Sequence, residues 1–138
     1  MSAYSITTRH KGKMAFEAEI GDHKIIMDTT VEGGGEDSGP SPKKLLLGTL
    51  AVCTGMDVVS LLQKMRVEYS DFDIITNADL TEEHPKVFSN IEVIYRIKVD
   101  ESDWGKVEKA VGLSQDKYCG ISAMLRKNSP LEYRVEYL

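Results

Sequence analysis

The stretch Ser41–Arg66, SPKKLLLGTLAVCTGMDVVSLLQKMR, decides the architecture of this chain. Serine followed by proline is a strong start signal for a helix, because serine caps the first turn and proline fits its first position. From there the sequence stays compatible with a helix to about Arg66, a length of roughly 37 Å at ~1.5 Å per residue. Leu45–Met56 carry no formal charge, so this part of the helix is apolar all round and is expected to be buried on every side.

A helix that is apolar on all sides needs more cover than one small domain can supply. The chain has 138 residues, which fits one domain with its own core, and we expect that domain to span residues 1–138. Gly48 and Gly55 lie seven residues apart, on a shared face where another backbone can come close. We therefore expect a homodimer with this helix at its centre.

The segments on either side of the helix alternate between apolar and polar residues, as strands do. On the N-terminal side, residues 4–8, 14–20 and 23–27 predict three strands, with a tight turn at Gly21-Asp22 and a glycine-rich loop over 29–41. On the C-terminal side, residues 72–80, 91–99 and 131–137 predict three more. Two short helices, capped by Ser102 and headed by Cys119, are predicted between the last two strands. This order of elements predicts an α+β fold.

Composition excludes several classes of function. A net charge of −5 argues against a nucleic-acid partner, because nucleic acids attract strongly basic surfaces. The uncharged run is shorter than the ~20 residues that a membrane span needs, and the sequence shows no secretory signal, so we expect a cytoplasmic protein without a membrane partner. His10, His23 and His84 lack ligand spacing, and the EGGGEDSG loop lacks the lysine of a phosphate loop. We expect neither a metal nor a cofactor.

The two cysteines are the residues with the most chemical interest. Cys53 lies in the middle of the uncharged run, and Cys119 lies in the later segment KYCGISAML. A permanent structural disulfide is disfavoured, because the cytoplasm keeps thiols reduced. Two interpretations stay open on the residues alone, namely a redox pair and two inert core thiols, since free cysteine is among the most buried residue types.

The surroundings predicted for the two thiols differ. Burial in an apolar helix raises the pKa of Cys53, and an ionised Asp57 one turn later on the same face raises it further. A reactive Cys53 needs a nearby cation, and Lys43 lies ~15 Å away along the same helix. Cys119 is expected at a helix start, where the backbone N–H groups favour a thiolate. Chemistry alone therefore favours Cys119 as the more acidic thiol.

The segment SPKKLLLGTLAVCTGMDVVSLLQK resembles the central helix of the OsmC/Ohr family, a helix that begins at proline and carries a cysteine near its middle. The segment KYCGISAML resembles the part of the family that carries its second cysteine. The KYC form and the short N-terminal region look most like the YhfA-type branch. The resemblance implies an α+β fold of antiparallel sheets around a long, central, buried helix. It also implies an intertwined homodimer with two sites at the interface.

The resemblance further implies a thiol-dependent reduction of organic hydroperoxides, with regeneration by a dithiol and roles in antioxidant defence and the oxidative stress response. Matched residue by residue, Cys53 is the peroxidatic thiol, Cys119 is the resolving thiol, and Arg9 is the activating cation, although His10 matches that last position about as well. Lys43 stands where the hydroperoxide-reducing branch has a glutamate that orients the arginine. Either another group orients Arg9, or Lys43 replaces the arginine as the activating cation across the dimer, or no cation reaches Cys53. The third case is favoured, and it predicts slow turnover. The alternatives are a non-catalytic dimer that binds a small apolar ligand and a redox sensor.

Overall fold

Residues 2–138 are described by a computed structural model, in which the chain divides into one unit up to Leu46 and another from Leu47 onward. The first unit holds three strands and the second holds the other three strands and most of the helical residues. The predicted α+β class is confirmed, while the expectation of one domain over residues 1–138 stays a prediction.

The first unit contains an antiparallel sheet of β1 (Thr7–Gly12), β2 (Ala15–Ile20) and β3 (His23–Met27) in chain order. The predicted turn at Gly21-Asp22 is confirmed, and Gly21 adopts a φ of 60°, which glycine accepts without strain. The strand predicted over residues 4–8 lies later in the chain, at β1. The reason is the hairpin that begins at Gly12, where φ is 113°, because this hairpin fixes the register of β1 against β2.

Helix α1 spans Pro42–Lys64, so it begins where the sequence predicted and ends two residues earlier. Arg66 takes a left-handed φ of 57°, and the Val67 N–H donates to the Leu62 carbonyl at 2.9 Å. This six-to-one bond is a common way to end a helix.

Only one face of α1 is buried within the chain. The fully covered side chains recur every four residues, at Leu50, Thr54, Val58 and Leu62. Val52 and Met56 on another face are 55% and 68% exposed. The expectation of burial on every side is thus met along one stripe only, since one chain of this size covers only one side of the helix.

The second unit contains a sheet of β4 (Tyr69–Leu80), β5 (Phe88–Val99) and β6 (Leu131–Tyr137), with β5 in the middle. β4 and β5 pair in antiparallel fashion, whereas β5 and β6 are parallel. The expected antiparallel pairing therefore does not hold at β6. The physical reason is the connection between β5 and β6, because α2 (Trp104–Leu113) and α3 (Gly120–Arg126) form the crossover that parallel strands require.

The core of the second unit lies between α1, α2 and one face of the sheet. β5 forms the centre of this core, and the buried stripe of α1 and helix α2 belong to the same hydrophobic cluster. Cys119 belongs to this core and Cys53 packs at its margin. The fully buried side chains of the core include Leu50, Val58, Leu62, Val93, Tyr95, Ile97, Val107 and Val111.

By length and composition α1 could also cross a membrane, since its most apolar window has a mean hydropathy of 2.0. The core helix of a soluble protein has the same composition. Here Leu50, Val58 and Leu62 pack with β5 and α2 in one hydrophobic cluster, as a core helix does.

Candidate active site

Cys53 and Cys119 are brought together by the fold, although 66 positions separate them in the chain. Their Sγ atoms are 3.1 Å apart, close enough for an S–H···S hydrogen bond in which either sulfur can be the donor. Both are free thiols. A disulfide needs a sulfur–sulfur distance of ~2.05 Å, so a closure of about 1 Å would join them.

The two thiols differ in access. Cys53 lies in the middle of α1 and is partly exposed, whereas Cys119 is only 2% exposed. A reagent from solvent therefore reaches Cys53 first, and Cys119 is reached through it.

A π-helical turn, Ser114–Tyr118, places Cys119 at the start of α3. The Cys119 N–H donates to the Ser114 carbonyl at 2.7 Å, which closes this wide turn. Cys119 then acts as the N-cap of α3, because its Sγ accepts the Ser122 N–H at 3.4 Å. Single π turns inside helical segments are rare and frequent at functional sites.

The surroundings of Cys53 disfavour its thiolate form. Loss of hydration on burial is the main cause that raises the pKa of the Cys53 thiol, followed by its hydrogen bond with Cys119. The negative charges of Cys119 and Asp57 raise it further, while the Ile121 N–H acts in the opposite direction. The effect of Asp57 has the direction that the sequence predicted.

A buried chain of hydroxyl groups runs beside the cysteine pair. Thr54 Oγ1 lies 2.6 Å from the Tyr95 hydroxyl and 2.6 Å from Ser114 Oγ. Ser114 Oγ in turn donates to the Asp57 carboxylate at 2.9 Å. Asp57 is thus held by the same residue whose carbonyl fixes the Cys119 N–H.

The chain of polar groups continues to the surface through Gln115. Its side-chain amide donates to the Tyr95 hydroxyl at 2.6 Å, and its side-chain oxygen accepts from the Arg126 guanidinium at 3.0 Å. Arg126 also donates to the Gln115 carbonyl at 3.0 Å. Ser122 of α3 has a buried hydroxyl without a protein partner among residues 2–138.

Arg9 lies on β1 in the first unit. Its guanidinium is paired at 2.7 Å with Glu19 on β2, and both side chains are substantially exposed. This pair holds the pKa of Glu19 below its usual range. Arg9 therefore has a carboxylate partner within its own sheet.

An apolar groove of about 520 Å³ runs along the exposed side of α1. It is bounded by α1 on one side and by β4 on the other. Gly55 allows this close packing, because a Cβ there would meet Ile74 Cδ1 at 3.1 Å. The groove is lined mainly by Ala51, Val52, Met56, Val59, Phe72 and Ile74.

The sequence did not point to most of the polar groups around the thiols. Thr54, Tyr95 and Ser114 are single polar residues within apolar or helical patterns, and nothing in their spacing links three distant segments. A weak signal exists at Thr54, which is the hydroxyl next to Cys53 in an uncharged run.

For metals, no grouping of three His, Cys, Asp or Glu side chains suited to a metal ion occurs within residues 2–138.

Comparisons with known proteins place this arrangement in context. Residues 34–134 match the family model described as OsmC-like protein. Protein YhfA of Escherichia coli (strain K12) is 34% identical over 105 residues, which cover 76% of this chain and 75% of YhfA.

Two solved structures share the fold. An OsmC-like protein from Mycoplasma pneumoniae matches with a TM-score of 0.84 at 13% identity, over 99% of this chain and 98% of that one. An organic hydroperoxide resistance protein OsmC from Legionella pneumophila matches with a TM-score of 0.68 at 19% identity, over 99% of each chain.

Proposed function

The chain belongs to the OsmC-like protein family, and from this premise we propose that it is a thiol-dependent reductase of organic hydroperoxides. The observation that carries the proposal is the 3.1 Å separation of the Cys53 and Cys119 sulfurs, with Cys53 accessible and Cys119 buried. Structural neighbours described as organic hydroperoxide resistance proteins support the same class of substrate.

In the proposed cycle, Cys53 attacks the outer peroxide oxygen and becomes a sulfenic acid, and the alkoxide leaves as an alcohol. Cys119 then attacks the Cys53 sulfur, which forms a disulfide and releases water. A dithiol reductant restores the two thiols by exchange. We place the protein in the cytoplasm, where such reductants are abundant.

We further propose that the working unit is a homodimer. The exposed apolar groove of α1 supports this, because monomeric proteins rarely leave such a surface open to water. Arg9 remains our candidate for the cation that activates Cys53, with Glu19 as the residue that orients it.

Turnover is expected to be slow, because the strongest charges acting on Cys53 are negative. Lys43→Glu adds a second carboxylate that could orient Arg9, so we expect this variant to reduce organic hydroperoxide faster than the wild type. A second-order rate constant of ~10⁶ M⁻¹s⁻¹ or more for the wild type, within the range of efficient enzymes, would contradict the expectation of slow turnover.

The test of the function is a titration of the reduced protein with one equivalent of cumene hydroperoxide per subunit, followed by a count of free thiols. Loss of two thiols that is abolished by Cys53→Ser supports the reductase. Full retention of thiols over minutes contradicts it and favours a non-catalytic protein that binds a small apolar ligand in the α1 groove. A disulfide that forms in this titration, without repeated consumption of peroxide once a dithiol and excess peroxide are added, favours a redox sensor.

A further inference from the structure

We propose that Arg126 is a positioning residue for Cys119, and that its guanidinium keeps this thiol at reacting distance from Cys53. This inference rests on the proposed function and deepens it, because it names a residue outside the thiol pair that sets how readily the disulfide forms.

The helical backbone breaks at Cys119. The π turn Ser114–Tyr118 ends immediately before it, α3 begins immediately after it, and Cys119 itself is extended, with φ −77° and ψ 100°. Residues 116–118, just before the break, are exposed and bury little surface that could hold the thiol in place. The orientation of Cys119 therefore depends on what holds the π turn against α3.

Arg126, in the last turn of α3, spans this break. Its Nη1 donates to the Gln115 carbonyl and its Nη2 donates to the Gln115 side-chain oxygen, both at 3.0 Å. Two bonds from one planar guanidinium fix direction as well as distance. Gln115 is only 2% exposed, and its amide donates to the Tyr95 hydroxyl at 2.6 Å. Arg126 thus joins α3 through the π turn to the buried strand β5.

The separation of the two sulfurs gives this clamp a consequence for the chemistry. At 3.1 Å the sulfurs already lie at the ~3–3.5 Å separation of reacting atoms in a productive arrangement. In the resolving step the Cys119 sulfur attacks the sulfenic sulfur of Cys53, the S–O bond breaks, and the oxygen leaves as water with the Cys119 proton. Without the clamp the π turn and α3 can move relative to each other at the break, so Cys119 spends less time at this distance.

The clamp should leave the reaction of Cys53 with an external reagent intact. Arg126 bonds to the π turn, whereas Cys53 lies on α1. The negative charges that raise the Cys53 pKa are those of Cys119 and Asp57. Loss of the guanidinium therefore removes none of the groups that act on the Cys53 thiol.

The test measures how readily the two thiols join, without peroxide. The protein is equilibrated with mixtures of reduced and oxidised glutathione, in which oxidised glutathione takes two electrons and two protons from the thiol pair and becomes two reduced molecules. Mass spectrometry of the acid-quenched samples gives the disulfide fraction and hence the effective concentration of the two thiols. The variants are Arg126→Ala and Arg126→Lys. The matched control is Arg96→Ala, which removes a two-bond guanidinium contact to Asp73, at 2.7 and 2.8 Å, between β5 and β4.

We expect Arg126→Ala to lower the effective concentration by ~10–100-fold, since a misplacement of ~1 Å can cost ~10²-fold. Arg126→Lys should lie between Arg126→Ala and the wild type, because an ammonium cannot reproduce the two-pronged contact. Arg96→Ala should match the wild type. An unchanged or higher value in Arg126→Ala overturns the proposal, and so does an equal fall in Arg96→Ala, which would reflect a general loss of stability.

Alkylation of the reduced proteins with iodoacetamide checks that the effect lies at Cys119. Cys53 should react no more slowly in Arg126→Ala than in the wild type. Slower alkylation would show that the guanidinium acts on Cys53 itself, which contradicts a role confined to Cys119.

A parallel measurement with cumene hydroperoxide separates this inference from the proposed function. A wild type that is inert to hydroperoxide, with the expected fall in Arg126→Ala, contradicts the function and leaves the positioning role standing. A wild type that consumes hydroperoxide, with an unchanged effective concentration in Arg126→Ala, leaves the function standing and overturns the inference. A wild type that forms no disulfide in any glutathione mixture also overturns the inference.

Discussion

Cys53 and Asp57 lie one turn apart on α1, and this spacing affects the acidity of the thiol. The Asp57 charge raises the Cys53 pKa, although loss of hydration and Cys119 contribute more. The carboxylate also accepts the Ser114 hydroxyl at 2.9 Å, so it is anchored where its charge acts. Asp57, which opposes ionisation of the Cys53 thiol, is thus linked to the buried chain of hydroxyl groups through Ser114.

Asp57→Asn should lower the Cys53 pKa, because it removes a negative charge and retains an oxygen that can accept from Ser114. We expect Cys53 to react faster at neutral pH, by up to ~10-fold. The measurement is the pH dependence of Cys53 alkylation. Asp79→Asn, at an exposed carboxylate of β4, serves as the control and should match the wild type. An unchanged profile in Asp57→Asn would contradict the assigned effect of the charge.

Asp28 organises the loop between β3 and α1 within the first unit. Its carboxylate accepts from the Thr29 N–H at 2.7 Å, the Glu36 N–H at 3.2 Å and the Ser38 hydroxyl at 2.6 Å. These bonds lower the pKa of Asp28 to about 2, the Ser38 hydroxyl having the largest effect. The sequence predicted only a glycine-rich loop here, since an Asx-type clamp across ten residues leaves no regular pattern.

The Asp28 clamp should weaken in acid. A lowered carboxylate pKa contributes stability that is complete above the ordinary value of 3.8 and is lost as the pH falls through about 2. The Ser38 amide proton, which donates to Asp28 at 3.1 Å, reports the bond by NMR. We expect its resonance to shift with a midpoint near pH 2. Asp28→Asn should abolish this transition and Asp22→Asn should retain it, whereas a midpoint near pH 4 would show that the clamp does not perturb Asp28.

At the level of elements, several local signals in the sequence were confirmed. The Ser41-Pro42 start of α1, the turn at Gly21 and the alternation of β6 all depend on neighbouring residues, and the structure has each of them. Other features depend on partners far along the chain. The parallel pairing of β6 and the π turn before Cys119 follow from how α2 and α3 cross the sheet, which no local pattern encodes.

The same distinction applies to the candidate site. The cysteines stood out because of their rarity and the family resemblance, and the direction of the Cys53 pKa shift followed from the helix pattern. Their relative burial did not, since Cys53 is partly exposed and Cys119 is the buried thiol. The hydrogen-bonded hydroxyls of Thr54, Tyr95 and Ser114 come from α1, β5 and the π turn, so only the fold reveals that they meet. Buried polar groups need partners, and three such residues satisfy one another here.

Thr54→Val should destabilise the second unit, because the nearly isosteric change removes the hydroxyl that joins Tyr95 to Ser114. Tyr95 keeps Gln115 and Ser114 keeps Asp57, so we expect a loss of about 1–2 kcal/mol in the free energy of unfolding. Chemical denaturation measures it. Thr76→Val is the matched control, because its hydroxyl makes a single long bond of 3.4 Å to Leu47 and its loss should cost less. An equal loss of unfolding free energy in the two variants would show that the buried chain of hydroxyl groups adds no stability.

At the level of the whole molecule, the apolar face of α1 is the basis of the proposed dimer. The sequence is apolar around the helix, yet the chain buries only the stripe from Leu50 to Leu62. Val52 and Met56 stay exposed beside a groove of about 520 Å³. A second copy that lays the same face of α1 against this one would cover both grooves at once, as a two-fold symmetric interface does.

Met56→Glu should therefore convert the protein from dimer to monomer, because it places a charge at the centre of the proposed interface, where burial without a partner is costly. Light scattering after gel filtration at micromolar concentration should give twice the 15.4 kDa chain mass for the wild type and the chain mass for the variant. Val87→Glu, at an exposed apolar residue at the end of the second sheet, is the control and should stay dimeric. A wild-type protein that is already monodisperse at the chain mass would contradict the dimer, and the open face of α1 would then need another occupant.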